Sequence, residues 1–95
     1  MAIELDVQYR VLNRGHVDIQ ASGKTVNISS SGVLFSTGQV LVPGRRVEID
    51  MDWPAQLNGK CALKLVARGR VVRFEGDRAA LEIMQHEFRT RGARS

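Results

Sequence analysis

Strict alternation of apolar and polar side chains constrains this chain most. Ile3, Leu5, Val7, Tyr9 and Val11 alternate with Glu4, Asp6, Gln8 and Arg10. Val47, Ile49, Met51 and Trp53 alternate with Glu48, Asp50 and Asp52. A period of two puts one set of side chains on each face of an extended strand, so both stretches read as half-buried strands. The pattern predicts strands at 3–12, 17–20 with 23–28, 32–36, 45–53, 60–74 and 78–84. Turn residues separate them: Asn13-Arg14-Gly15, Ser22-Gly23-Lys24, Thr37-Gly38, Val42-Pro43-Gly44, Asn58-Gly59 and Glu75-Gly76-Asp77. From residue 60 the apolar parity runs through Cys61, Leu63, Leu65 and Ala67 to Gly69 and Val71, with Val66 and Val72 on the other parity. A bulge or sharp bend near Arg68 to Arg70 accommodates that change of face. The sum is a closed or nearly closed antiparallel barrel of six or seven strands with little helix.

The chain has 95 residues, which is room for one domain, 1–95, whose core is just large enough to fold alone. With 25% charged residues and no apolar run of membrane-spanning length, it reads as a soluble protein. Met1 to Asp6 carries no basic-then-apolar leader, so the expected location is cytoplasmic, without membrane insertion. A single cysteine, Cys61, excludes an internal disulfide framework and shares its parity with Leu63 and Leu65, as a small buried hydrophobe would. The net charge of +4 suits an anionic partner. The aromatics Tyr9, Phe35, Trp53, Phe74 and Phe88 do not interleave with basic residues as a base-stacking platform would, so nucleic acid is not the expected partner.

One segment carries chemistry. Asn27-Ile28-Ser29-Ser30-Ser31-Gly32 is a polar, glycine-closed corner between the apolar stretches Thr25-Val26 and Val33-Leu34-Phe35. Its short side chains offer donors and acceptors to their own backbone or to a docked ligand. Gly32 permits a positive φ or a close backbone approach. Two readings stand: a serine or Asx turn that staples a corner, and a ligand site.

The hexapeptide fits the Asp/Asn-x-Ser-x-x-Gly pattern of the PilZ domain through Asn27, Ser29 and Gly32. Val33-Leu34-Phe35 resembles the strand that follows that motif. Leu41 to Ile49, with Pro43-Gly44, resembles the family's later segment, Gly69-Arg70-Val71-Val72-Arg73 its next long strand, and Ala79-Ala80-Leu81-Glu82-Ile83 its last. The resemblance covers roughly residues 3 to 88. It implies a small six-stranded β-barrel that binds the bacterial second messenger cyclic di-GMP and acts through a partner protein, with Asn27, Ser29 and Gly32 at the ligand.

In ligand-binding members an Arg-x-x-x-Arg motif just before the first strand grips phosphate and guanine. Here Arg10-Val11-Leu12-Asn13-Arg14 fits the spelling. Its position differs: alternation puts Arg10 on the outer face of the first strand and Arg14 in the hairpin, and the family's own position falls at or before Met1. Arg10 and Arg14 are therefore carried as candidate ligand residues, with Arg70, Arg73 and the tail arginines Arg89, Arg91 and Arg94 as other sources of positive charge. If Arg10 and Arg14 do not serve, the chain is a truncated piece or a member with an incomplete site. The alternative function is an adaptor that binds no cyclic di-GMP and works only by protein–protein contact.

No cofactor, metal or catalytic constellation is expected. His16 and His86 lack metal-type spacing, and Ser29, Ser30 and Ser31 lack a nearby base. Glu48, Asp50 and Asp52 share one strand face, which reads as a solvated surface or, secondarily, as oxygen ligands for a divalent cation. Residues 85–91 are expected as one helical turn or an extended tail, with 88–95 as tail, Phe88 capping the barrel mouth and Gly92 to Ser95 mobile.

Overall fold

Val7, Tyr9 and Val11 turn into the core while Asp6 and Gln8 face solvent, so the alternation read from the sequence becomes a real two-faced strand, β1, at Asp6–Asn13. The computed structural model describes residues 2–57 and 61–91. It contains five further strands: β2 at His16–Ile28, β3 at Gly32–Thr37, β4 at Arg46–Leu57, β5 at Cys61–Glu75 and β6 at Arg78–Arg91. Every pairing is antiparallel, in the closed order β1-β2-β3-β6-β5-β4. Pairing of β1 with β4, Val7 opposite Met51 through Leu12 opposite Arg46, closes the ring and removes free sheet edges there.

The inward side chains form one core: Val7, Tyr9 and Val11 from β1, Phe35 from β3, Ile49 and Met51 from β4, Val71 from β5, and Leu81 from β6. Tyr9 and Phe35 are fully buried with ring centroids 5.2 Å apart. The Tyr9 hydroxyl finds its polar partner in the Thr37 hydroxyl, which satisfies a buried group that would otherwise be costly.

Several expectations change in detail. The first strand begins at Asp6 rather than residue 3. Ile3 and Leu5 still pack against the core, held by Thr25, whose hydroxyl accepts a 2.8 Å hydrogen bond from the Leu5 amide. Ser22-Gly23-Lys24 is not a turn. It lies inside the continuous β2, where Gly23 pairs with both Val7 and Thr37. A Cβ there would sit 2.2 Å from the Ser36 carbonyl oxygen, so this glycine serves close strand approach and not reversal. The bulge expected around Arg68 to Arg70 is present as a register shift between Arg68 and Gly69, with a second between Val71 and Arg73. Residues 85–91 are extended and paired along β5, with Phe88 opposite Leu65, and contain no helical turn. The strand pairing thus absorbs the first part of the expected tail. The Asn58-Gly59 turn and Gly92 to Ser95 lie outside the described residues, and so does the side chain of Cys61. Among the described residues, no helix is long and apolar enough to cross a membrane.

Candidate functional site at the β2–β3 corner

The polar hexapeptide closes the turn between β2 and β3 through one hydroxyl. Ser29 Oγ accepts hydrogen bonds from the Gly32 amide at 3.2 Å and the Ser31 amide at 3.4 Å, and lies 3.4 Å from Ser31 Oγ. The Ser29 amide donates to the Gly32 carbonyl at 2.9 Å. The corner is then pinned to the neighbouring strand, because the Ile83 amide of β6 donates to the Ser31 carbonyl at 2.9 Å. Gly32 does not take a positive φ; its role is proximity. It pairs with Glu82 of β6, and an added Cβ would come within 3.0 Å of the Leu81 carbonyl oxygen.

Register carries the corner's chemistry across four strands. Asn27 of β2 faces Leu34 of β3, Leu34 faces Ala80 of β6, and Ala80 faces Arg73 of β5. One step along, Gly32 faces Glu82, and Glu82 faces Arg70. Small side chains at Gly32 and Ala80 leave an open depression of about 440 Å³ on the outer barrel face. Asn27, Ser29 and Ser31 rim it on one side, Val72, Arg73 and Glu82 on the other. That volume lies within the roughly 300–1,000 Å³ of ordinary small-molecule sites. Among the described residues Arg73 has only a long contact to Glu75, at 3.8 Å between two strongly exposed side chains, so its guanidinium is available for a ligand.

Arg10 and Arg14 stand elsewhere. Arg10 lies on the outer flank made by β1, β4 and β5. Its Nε and Nη2 donate to Glu48 Oε1 at 3.0 and 2.7 Å, and Nη2 also donates to Asp50 Oδ2 at 2.9 Å. Arg68 Nε donates to Glu48 Oε2 at 2.7 Å, and Lys64 Nζ lies 3.8 Å from Asp50. Hydrogen bonds to Asp50 and then Glu48 raise the Arg10 pKa above its ordinary value, against the effect of burial. Burial pushes the Glu48 carboxyl up, but the hydrogen bonds from Arg10 and Arg68 outweigh it and hold the group below its ordinary value. The acidic stripe is therefore neither simply solvated nor arranged for a cation: Glu48 and Asp50 are paired with basic side chains, and Asp50 is buried. Among the described residues, no three His, Cys, Asp or Glu side chains group as metal ligands. Arg14, at φ 55° in the β1–β2 hairpin, lines a separate cavity with Arg45 and Arg46.

Val72, Ala80 and Glu82 also line the depression, although no motif in the sequence marks them as site residues. Their only sequence signal was membership of two strands; cross-strand register brings them beside the hexapeptide. An apolar recess of about 250 Å³ adjoins the corner through Ser29. There Phe88, half exposed, meets Trp53 edge-on at 5.5 Å, so it forms a rim at the barrel end and does not close it.

A closed six-stranded antiparallel barrel bearing a polar Asn-x-Ser-x-x-Gly corner defines a small all-β domain. The family model for the PilZ domain matches residues 3–92, and the chain belongs to that family. No curated protein and no solved structure matches it.

Proposed function

We propose that this chain is a single-domain PilZ regulatory module of the cytoplasm, a receptor for cyclic di-GMP that acts through a partner protein and catalyses no reaction. The observation that carries this reading is the convergence of Asn27, Ser29, Gly32 and Arg73 on one depression. Cyclic di-GMP is a dianion bearing two guanines. The corner supplies hydrogen-bonding groups, and Arg73 supplies a planar fork suited to a phosphate oxygen pair or a base face. Arg73 takes the place proposed from the sequence for Arg10, whose guanidinium is committed to Glu48 and Asp50.

Isothermal titration with cyclic di-GMP at two salt concentrations tests the reading. Binding should weaken with salt, because charge carries part of the affinity for a dianion. Arg73→Ala should weaken it about tenfold with an unchanged melting temperature, the cost of one charge-assisted contact. No heat at high ligand concentration would leave a barrel that works by protein contact alone.

A further inference from the structure

We propose that Glu82, braced by Arg70, reads the Watson–Crick edge of a guanine seated in the depression, which makes this pair the determinant of base specificity. The inference rests on the cyclic di-GMP reading of the site. A carboxylate is out of place beside a dianion unless it has its own work, since it repels phosphate at short range. Glu82 nevertheless lines the depression, on the outward parity of β6 between the buried Leu81 and the half-buried Ile83.

Its surroundings suit a base edge. Gly32 lies directly opposite on β3 and presents no side chain, so the carboxylate is uncovered on the side facing the corner. Ala80, two residues earlier on the same face, continues a flat floor, and Leu34 and Val72 give it apolar walls. On the other side Arg70 Nη2 donates to Glu82 Oε1 at 3.1 Å, and both side chains are about half exposed. Among the described residues Glu82 has no other ion-pair partner.

Guanine presents two adjacent donors, N1–H and N2–H, with the O6 acceptor next in line. An ionised carboxylate is acceptor-only and matches the two donors; a guanidinium beside it donates to O6. Adenine places an acceptor, N1, where guanine has a donor, so its lone pair would face the carboxylate unpaired. The mismatched analogue loses both hydrogen bonds to the carboxylate and sets two acceptors against each other.

The experiment is titration of the wild-type chain and of Glu82→Gln with cyclic di-GMP and, separately, cyclic di-AMP. The wild type should favour the guanine dinucleotide. Glu82→Gln should weaken cyclic di-GMP about ten- to a hundredfold, the worth of one bidentate base contact, and should leave cyclic di-AMP unchanged or tighter. Arg70→Ala should reduce the same preference to a smaller degree. Both variants should melt with the wild type. If Glu82 merely repels phosphate, Glu82→Gln tightens both ligands alike. That result, or no change in either ligand, overturns the proposal while leaving cyclic di-GMP binding intact. Failure of the wild type to bind cyclic di-GMP overturns the site reading and this inference with it.

Discussion

Two flanks of the same barrel use arginine in opposite ways. On the β1–β4–β5 flank, Arg10 and Arg68 converge on Glu48, Arg10 also reaches Asp50, and the Arg10 side chain is only 23% exposed. On the β2–β3–β6–β5 flank, Arg73 lines an open depression with, among the described residues, one long contact to Glu75. The first arrangement spends its charge on holding three strands in register. The second leaves charge unspent beside a corner whose hydrogen bonds are already internally organised by Ser29. A motif spelled in arginines does not say which of these an arginine will do; its cross-strand neighbours decide.

The largest expected effect concerns the core that both flanks share. Phe35→Ala removes a fully buried ring packed on Tyr9 and should cost about 3–5 kcal/mol in chemical denaturation, eliminating both flanks together. Retention of a native-like melting transition would mean that the corner and the ladder fold on separate supports.

Arg10→Ala comes next. It strands Glu48 and Asp50 without their best partner and should lower stability by about 1–3 kcal/mol, discounted for partial solvent access. Cyclic di-GMP affinity, measured on the folded variant, should not move. A fall in affinity with little loss of stability would erase the contrast between the flanks and restore Arg10 as a ligand residue.

Acid sharpens the comparison on a smaller scale. The folded-state pKa of Glu48 lies below its ordinary value of 4.5, so in the acid window the unfolded chain binds this proton more readily. The group's contribution is thus present above about its unfolded value and lost as pH falls through the folded one. Melting curves of the wild type and Glu48→Gln should differ at neutral pH and converge in acid, by a gap of roughly 1 kcal/mol or less for a partly solvated network.

A comparably small stability effect belongs to the corner. Asn27→Ala combined with Ser29→Ala should change unfolding free energy by only about 1 kcal/mol, since Ser29 organises an exposed turn, yet should reduce cyclic di-GMP affinity at least about tenfold. A large loss of stability with cyclic di-GMP affinity of the folded variant unchanged would make the corner a structural staple, like the other flank.

Alternation made the faces of β1 and β4 legible, because side-chain period is a local property of an extended backbone. Asn13-Arg14-Gly15 and Glu75-Gly76-Asp77 were equally legible as hairpins, since turn residues act through their own φ and ψ. The hexapeptide, with the segments that follow it, was enough to mark the family. Gly23 misled for an equally physical reason: a glycine that reverses the chain and one that admits another strand's carbonyl look alike until that strand is in place. The same holds for the end of β6, where polar, helix-compatible residues are held extended by pairing with β5.

What the sequence determined by itself was which residues of β1 and β4 face inward, that the chain reverses at Asn13-Arg14-Gly15 and at Glu75-Gly76-Asp77, and that a polar corner separates the second and third strands. Tertiary structure alone decided who stands beside whom. Arg10 meets Glu48 and Asp50 across 38 and 40 residues, and Tyr9 meets Thr37 across 28. Those partners follow from barrel closure and from bulges that shift register by a residue, so that Arg10 is bound into a ladder while Glu82 and Arg73 arrive beside Asn27 and Gly32. Local propensity fixes the faces of a strand, but only long-range pairing fixes its neighbours, and in this barrel the neighbours set the chemistry.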